Sequence, residues 1–234
     1  GKDGMPYRAD QSAGYSGAGF YQREAFHEKA RCKRILRTVI TDKDKEGVYI
    51  MTTLELQKMA NEVRKGIVTA VHSAKAGHPG GSLSAADVFT YLYFEEMNID
   101  PKNPKDPDRD RFVLSKGHTA PGYYSAMAHR GYFPVEDLVT LRHIGSHLQG
   151  HPCMQHIAGI DMSSGSLGQG ISAAVGMALA GKMDKKDYRV YTLLGDGEIQ
   201  EGQVWEASMF AGHRKLDNLV VIVDNNGLQI DGNI

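Results

Sequence analysis

Two largely apolar runs constrain the fold of this chain more than any other feature. Tyr188–Leu194 and Leu219–Val223 are rich in β-branched and aliphatic residues, and a segment of helical character from about Gly202 to His213 separates them. A strand with one wet face alternates apolar and polar residues. A strand that is apolar throughout is buried on both faces. Two such strands linked by a helix predict an α/β fold, with a mostly parallel sheet covered by helices on both faces. Arg111–Ser115 reads as a third short strand of the same kind.

The helices are written at three- and four-residue steps. Thr52 and Glu55 have the spacing of a capping box. Leu56, Met59, Ala60, Val63, Ile67, Ala70 and Val71 then mark one face of an amphipathic helix. Gly77-His78-Pro79-Gly80-Gly81 ends it. Ser84 and Asp87 predict the cap of a second helix running to about Met97, and further helices are expected to about Arg130 and from Pro134 to Arg142. Ile171–Met183 is rich in alanine and has few polar residues, which predicts a helix buried on most sides. Residues 98–110 read as a surface loop, and residues 143–170 as a long Gly-, His- and Ser-rich region. Irregular stretches of that length inside a compact domain are usually functional or disordered.

Residues 1–50 lack this patterning. They are expected to form a poorly ordered or non-native extension, with a nucleic-acid arm as the weaker alternative. The domain proper is expected to run from Met51 to Ile234. A formal net charge of -1 gives no basic field for nucleic acid. No apolar run approaches the roughly 20 residues that span a bilayer, so no membrane contact is expected. Cys32 and Cys153 offer neither a disulfide framework nor metal-ligand spacing, and together with the lack of a secretory signal they point to the cytoplasm.

In parallel α/β sheets ligands bind beyond the carboxyl ends of the strands. Three strands here end at Ser115, Leu194 and Val223, and His118, Asp196 and Asn226 follow them. Gly195 and Gly197 let bare backbone approach a ligand. Asp196 supplies a hard carboxylate oxygen and Asn226 a neutral one, a pairing that suits magnesium bound jointly with phosphate oxygens. Gly-Asp-Gly alone could equally be a tight turn; Asn225-Asn226 after the next apolar strand makes the metal reading the more specific.

Gly195-Asp196-Gly197, a spacer of 27 residues and Asn225-Asn226 resemble the thiamine diphosphate signature. The blocks Ala76–Gly81, Leu114–His118, Gly150–Pro152, Gly165–Gly170 and Leu228–Gly232 are similar to those of the transketolase family, in the family's order. The resemblance covers Met51 to Ile234. It implies that Asp196, the Asn226 side chain and the Leu228 carbonyl ligate magnesium, with calcium able to substitute. It further implies that His118, Gly165, Ser166, Leu167, Gly197 and Asn226 contact thiamine diphosphate, and that His78, His151 and Glu201 serve catalysis. The histidines would hold the sugar and move its protons, and Glu201 would lie at a subunit interface.

A complete transketolase is much longer, and its second domain supplies the glutamate that activates the cofactor and the residues that grip the sugar phosphate. Ser166 stands where many full-length relatives carry proline, which resembles transketolases divided into two polypeptides. The resemblance therefore implies an N-terminal subunit, active only with a C-terminal transketolase subunit, in a homodimer or heterotetramer acting on sugar phosphates. The sequence is expected to be C-terminally truncated. A sister thiamine diphosphate enzyme, such as a deoxyxylulose-phosphate synthase, and a non-catalytic cofactor-binding module remain open as alternatives.

Overall fold

The computed structural model describes residues 51–230 and 232–234. The expected extension, residues 1–50, lies outside them. Helix α1 (Thr53–Ala74) opens on the predicted capping box: the Thr52 hydroxyl accepts from the Glu55 N–H at 3.3 Å, and the Glu55 carboxylate accepts from the Thr52 N–H at 2.7 Å. Its buried face is Ala60, Val63, Gly66, Ile67 and Ala70. A Cβ on Gly66 would lie 2.2 Å from Ser125 Oγ, so the absence of a side chain lets the next long helix close on α1. Lys75, in the left-handed region, ends α1.

The second helix departs from expectation. Pro79 begins a new short helix, α2 (Pro79–Ser84), because the residue that breaks one helix fits the first turn of another. α3 (Ala86–Tyr91) follows and continues as a wider π turn over Leu92–Glu96. Ser84 and Asp87 form no cap. The Ser84 hydroxyl donates to Asp224 at 2.8 Å, and Asp87 pairs with Arg64. The segment expected as a helix from Pro134 to Arg142 is a 3-10 stretch, Val135–Thr140.

Strands β1 (Arg111–Leu114), β2 (Val190–Gly195) and β3 (Leu219–Asp224) form one parallel sheet in the order β1-β2-β3. Helices α4 (Ala120–Arg130) and α5 (Gln169–Met183) lie in the chain between β1 and β2, and α6 (Gly202–His213) between β2 and β3. Alternate residues of the strands enter two separate cores. Phe112, Leu114, Tyr191 and Leu193 pack with α1, α3 and α4. Val113, Val190 and Leu194 pack with Ile171, Ala174, Val175 and Ala178 of α5 and with Val204 and Ala207 of α6. Each such buried valine, leucine or isoleucine side chain contributes about 2 kcal/mol.

Two expectations need correction here. α5 is buried along one stripe only, with Met183 73% exposed, because its low polarity reflects alanine and glycine rather than enclosure. β3 is not covered on both faces: Val220, Val221 and Val223 are exposed among the described residues. A short hairpin, β4 (Leu228–Gln229) and β5 (Gly232–Asn233), follows β3. No helix among the described residues is long and apolar enough to cross a membrane.

The long region 143–170 is tied down. Asp161 accepts two bonds from Arg109, at 2.6 and 3.0 Å, and a third from the Phe112 N–H at 2.8 Å, which anchors the loop to the start of β1. The Tyr124 hydroxyl of α4 donates to the His151 carbonyl at 3.0 Å. A loop fixed in this way presents its side chains from a rigid base.

Candidate functional site

The carboxyl ends of β1, β2 and β3 meet the Gly-rich turns, as expected for a parallel sheet. Asp196, 5% exposed, leaves β2 and links two turns. One carboxylate oxygen accepts from the Gly197 N–H at 3.0 Å, and the other from the Gly227 N–H at 2.6 Å. Asn226 Oδ1 accepts from the Leu228 N–H at 2.9 Å. Asp196, Asn226 and Leu228 therefore belong to two turns joined by the Asp196–Gly227 bond. Gly197 touches the Gln229 side chain: a Cβ there would lie 3.2 Å from it.

The Gly165–Gly168 loop closes on the turn after β1. A Cβ on Gly117 would stand 2.8 Å from Ser164 Oγ and 2.9 Å from the Gly165 nitrogen. Gly165 in turn faces the His151 ring: a Cβ on Gly165 would lie 3.3 Å from it. His78, at the start of α2, meets His118 edge to face, with ring centroids 5.2 Å apart. The structure thus gathers His78, His118, His151 and Gly165 together. Ser166 and Leu167 are exposed beside them. Glu201 is the exposed N-cap residue of α6, makes no side-chain capping bond, and approaches Gly168, where a Cβ would lie 2.9 Å from its own.

All three histidines are held neutral at pH 7. Burial, then the charge of Lys116 and the neighbouring rings, lowers His118 to about 4. Burial and the Arg142 charge lower His78. His151 is lowered by burial, Arg142 and His78. Neutral imidazoles can accept as well as donate a proton, which is the state a proton-moving group needs.

Two residues escaped the sequence reading. Glu198, 2% exposed, accepts from the Ser115 hydroxyl, from the Gly168 N–H at 2.8 Å and from the Gly195 N–H at 3.0 Å. It fastens the ends of β1 and β2 to the Gly-rich loop. Lys116, 1% exposed, pairs with Asp224 at 2.5 Å and so ties the end of β1 to the end of β3. The only sequence signal was their position in or beside the matched blocks, next to Gly-Asp-Gly and Gly117-His118.

The donor set fits a diphosphate with a hard cation. Among the described residues Ser164 Oγ is buried with no hydrogen-bond partner, at the point where Gly117 and Gly165 leave bare backbone. Each Asp196 oxygen carries one N–H bond, so lone pairs remain for a metal. No cluster of three or more His, Cys, Asp or Glu suited to a metal occurs among the described residues.

This combination of a parallel sheet, flanking helices and paired turns at the strand ends defines a domain of the α/β class. A family profile described as "Transketolase, thiamine diphosphate binding domain" matches residues 55–234, and the chain belongs to that family. It is 54% identical over 179 residues to the 6-deoxy-6-sulfo-D-fructose transketolase subunit SqwG of Clostridium sp., covering 76% of this chain and 65% of that one. It is 50% identical over 180 residues to an apulose-4-phosphate transketolase subunit of Phocaeicola vulgatus, covering 77% and 63%. Against mouse transketolase the identity is 49%, over 74% of this chain but 28% of the relative. The transketolase of Campylobacter jejuni superposes with a TM-score of 0.74 at 38% identity, over 78% of this chain and 30% of that one. The chain therefore spans somewhat under two thirds of the subunit relatives and under a third of the full-length enzyme.

Proposed function

We propose that this chain is the diphosphate-binding subunit of a two-polypeptide transketolase. With a C-terminal partner it transfers a two-carbon ketol unit from a ketose phosphate to an aldose phosphate. The observation that carries the reading is the buried Asp196 carboxylate, bonded to both Gly197 and Gly227, together with the Ser164 hydroxyl, unpartnered among the described residues. The two relatives named as transketolase subunits support the divided form.

In this reading Asp196, Asn226 Oδ1 and the Leu228 carbonyl hold magnesium. His118, Gly165, Ser166, Leu167 and Gly197 line the bound cofactor. Thiamine diphosphate supplies the carbanion chemistry when bound. The protein's part is to bind, orient and handle protons. His78 and His151, neutral and exposed, hydrogen-bond the sugar and carry its protons. Glu201, exposed where α6 begins, faces the partner subunit. The lack of any disulfide pattern supports a cytoplasmic setting.

The test is reconstitution. The chain is mixed with the C-terminal polypeptide of a two-chain transketolase, thiamine diphosphate and magnesium. Ketol transfer is expected only with both chains present. Cofactor binding without transfer, whatever the partner and sugar, would favour a non-catalytic module instead.

A further inference from the structure

Asp224 is the last residue of β3, and its carboxylate gathers donors from three places. Oδ2 accepts from the Lys116 ammonium at 2.5 Å and from Asn226 Nδ2 at 3.4 Å. Oδ1 accepts from the Ser84 hydroxyl at 2.8 Å. Lys116 follows β1, so its side chain reaches across the end of β2, the middle strand. It passes beside Gly195, where a Cβ would lie 3.8 Å from Lys116 Cδ. The Lys116 and Asp224 side chains are 2% and 12% exposed. Each neutralises the other, so the pair leaves no unmatched charge in the fold.

Ser84 is the last residue of α2, and His78 is the residue before its first turn. A helix of six residues is too short to be stable alone, so its seat is set by what it packs on. Gly81 rests on the turn after β1. A Cβ there would lie 2.8 Å from Thr119 Cγ2, 3.6 Å from Lys116 Nζ and 3.8 Å from His118 Nε2. The Ser82 hydroxyl only bonds back to the His78 carbonyl, at 2.9 Å. Among the described residues, the side-chain hydrogen bond that joins α2 to the sheet is the one from Ser84 to Asp224. The His78 ring therefore meets the His118 ring only while α2 is held down.

We propose that Asp224, neutralised by Lys116, is a positioning residue with two arms. Through Ser84 it holds the helix that carries His78. Through Nδ2 it turns the Asn226 amide, so that the amide offers its oxygen to the turn shared with Asp196. The roles of His78 with the sugar and of Asn226 with magnesium rest on the transketolase reading; the links from Asp224 to both residues do not.

The test is proton NMR of the full chain without cofactor, on Ser84→Ala and on the paired variant Lys116→Met/Asp224→Ala. Lys116 and Asp224 are replaced together because a buried ammonium left alone would endanger the fold. In the unaltered chain the His78 and His118 rings, with centroids 5.2 Å apart, should give a nuclear Overhauser contact. Both variants should lose it, while His151, held by the Tyr124 bond, keeps its resonances. An unchanged His78–His118 contact in either folded variant would overturn the proposal; if the paired variant does not fold, Ser84→Ala decides alone. In calorimetry with thiamine diphosphate, the paired variant should raise the magnesium concentration at half-saturation by about fivefold to tenfold, the scale of one hydrogen bond. Ser84→Ala should leave it unchanged. An equal effect of both variants, or an effect of neither, would overturn the hold on Asn226. If the unaltered chain binds no cofactor while Ser84→Ala still releases His78, the transketolase reading falls and the hold of Asp224 on His78 stands.

Discussion

Ser115, Lys116, Asp196 and Glu198 form the floor of the site and are 0%, 1%, 5% and 2% exposed. Each is hydrogen-bonded to another strand end or turn. His78, His151, Glu201 and Arg142 form the rim; all are exposed, and none makes a side-chain hydrogen bond among the described residues. The floor is organised by the fold before any ligand arrives. The rim is organised through its backbone, by Pro79 after His78, the Tyr124 bond to the His151 carbonyl and the Arg142 N–H bond to the Leu148 carbonyl. The floor side chains are thus held by hydrogen bonds within the fold, and the rim side chains are not.

The sharpest way to break that contrast is Glu198→Ala. It leaves the Ser115 hydroxyl and the Gly168 and Gly195 N–H groups without an acceptor. Leaving buried donors unsatisfied costs about 1–3 kcal/mol for each group, so a loss of about 4 kcal/mol is expected in urea unfolding. A loss below about 1 kcal/mol, the size of a surface effect, would mean that the floor does not hold the site together.

A smaller effect should come from pH. His118 has a folded pKa of about 4, below its ordinary value near 6.5. Between those values the unfolded chain binds more protons than the folded one, so stability falls as pH falls. The His118 share of this loss should reach about 1–2 kcal/mol by pH 5, and His118→Gln should flatten the profile by that amount. Equal slopes for the two proteins would contradict the burial assigned to this ring.

Smallest in stability should be His78→Ala. An exposed side chain with no hydrogen bond should change unfolding free energy by no more than about 0.5 kcal/mol. Cofactor affinity should stay near normal, while turnover of the reconstituted enzyme falls by about 100-fold, the scale of a proton-moving group. A destabilised variant with normal turnover would reverse the roles of rim and floor.

The sequence displayed the histidines, Asp196 and Asn226 better than the rest of the floor, for a physical reason. His78, His118 and His151 sit in short glycine blocks, and Asp196 and Asn226 follow apolar strands, so local chemistry marks them. Glu198 and Lys116 act across 83 and 108 residues of chain, a separation that no local pattern encodes. The same limit explains the error at Ser84 and Asp87. Their spacing imitates a helix cap, but their partners, Asp224 and Arg64, lie 140 and 23 residues away. The apolar run at Leu219–Val223 correctly gave a parallel strand but could not tell how much of it is covered.

The most direct test of the central claim is a calorimetric titration of the full chain with thiamine diphosphate, with and without magnesium. Saturable binding that requires magnesium is expected, with no response to thiamine lacking the diphosphate. Asp196→Ala should abolish it while leaving the far-ultraviolet circular dichroism intact. Binding of equal affinity in Asp196→Ala, or no binding by the unaltered chain with magnesium present, would contradict the account.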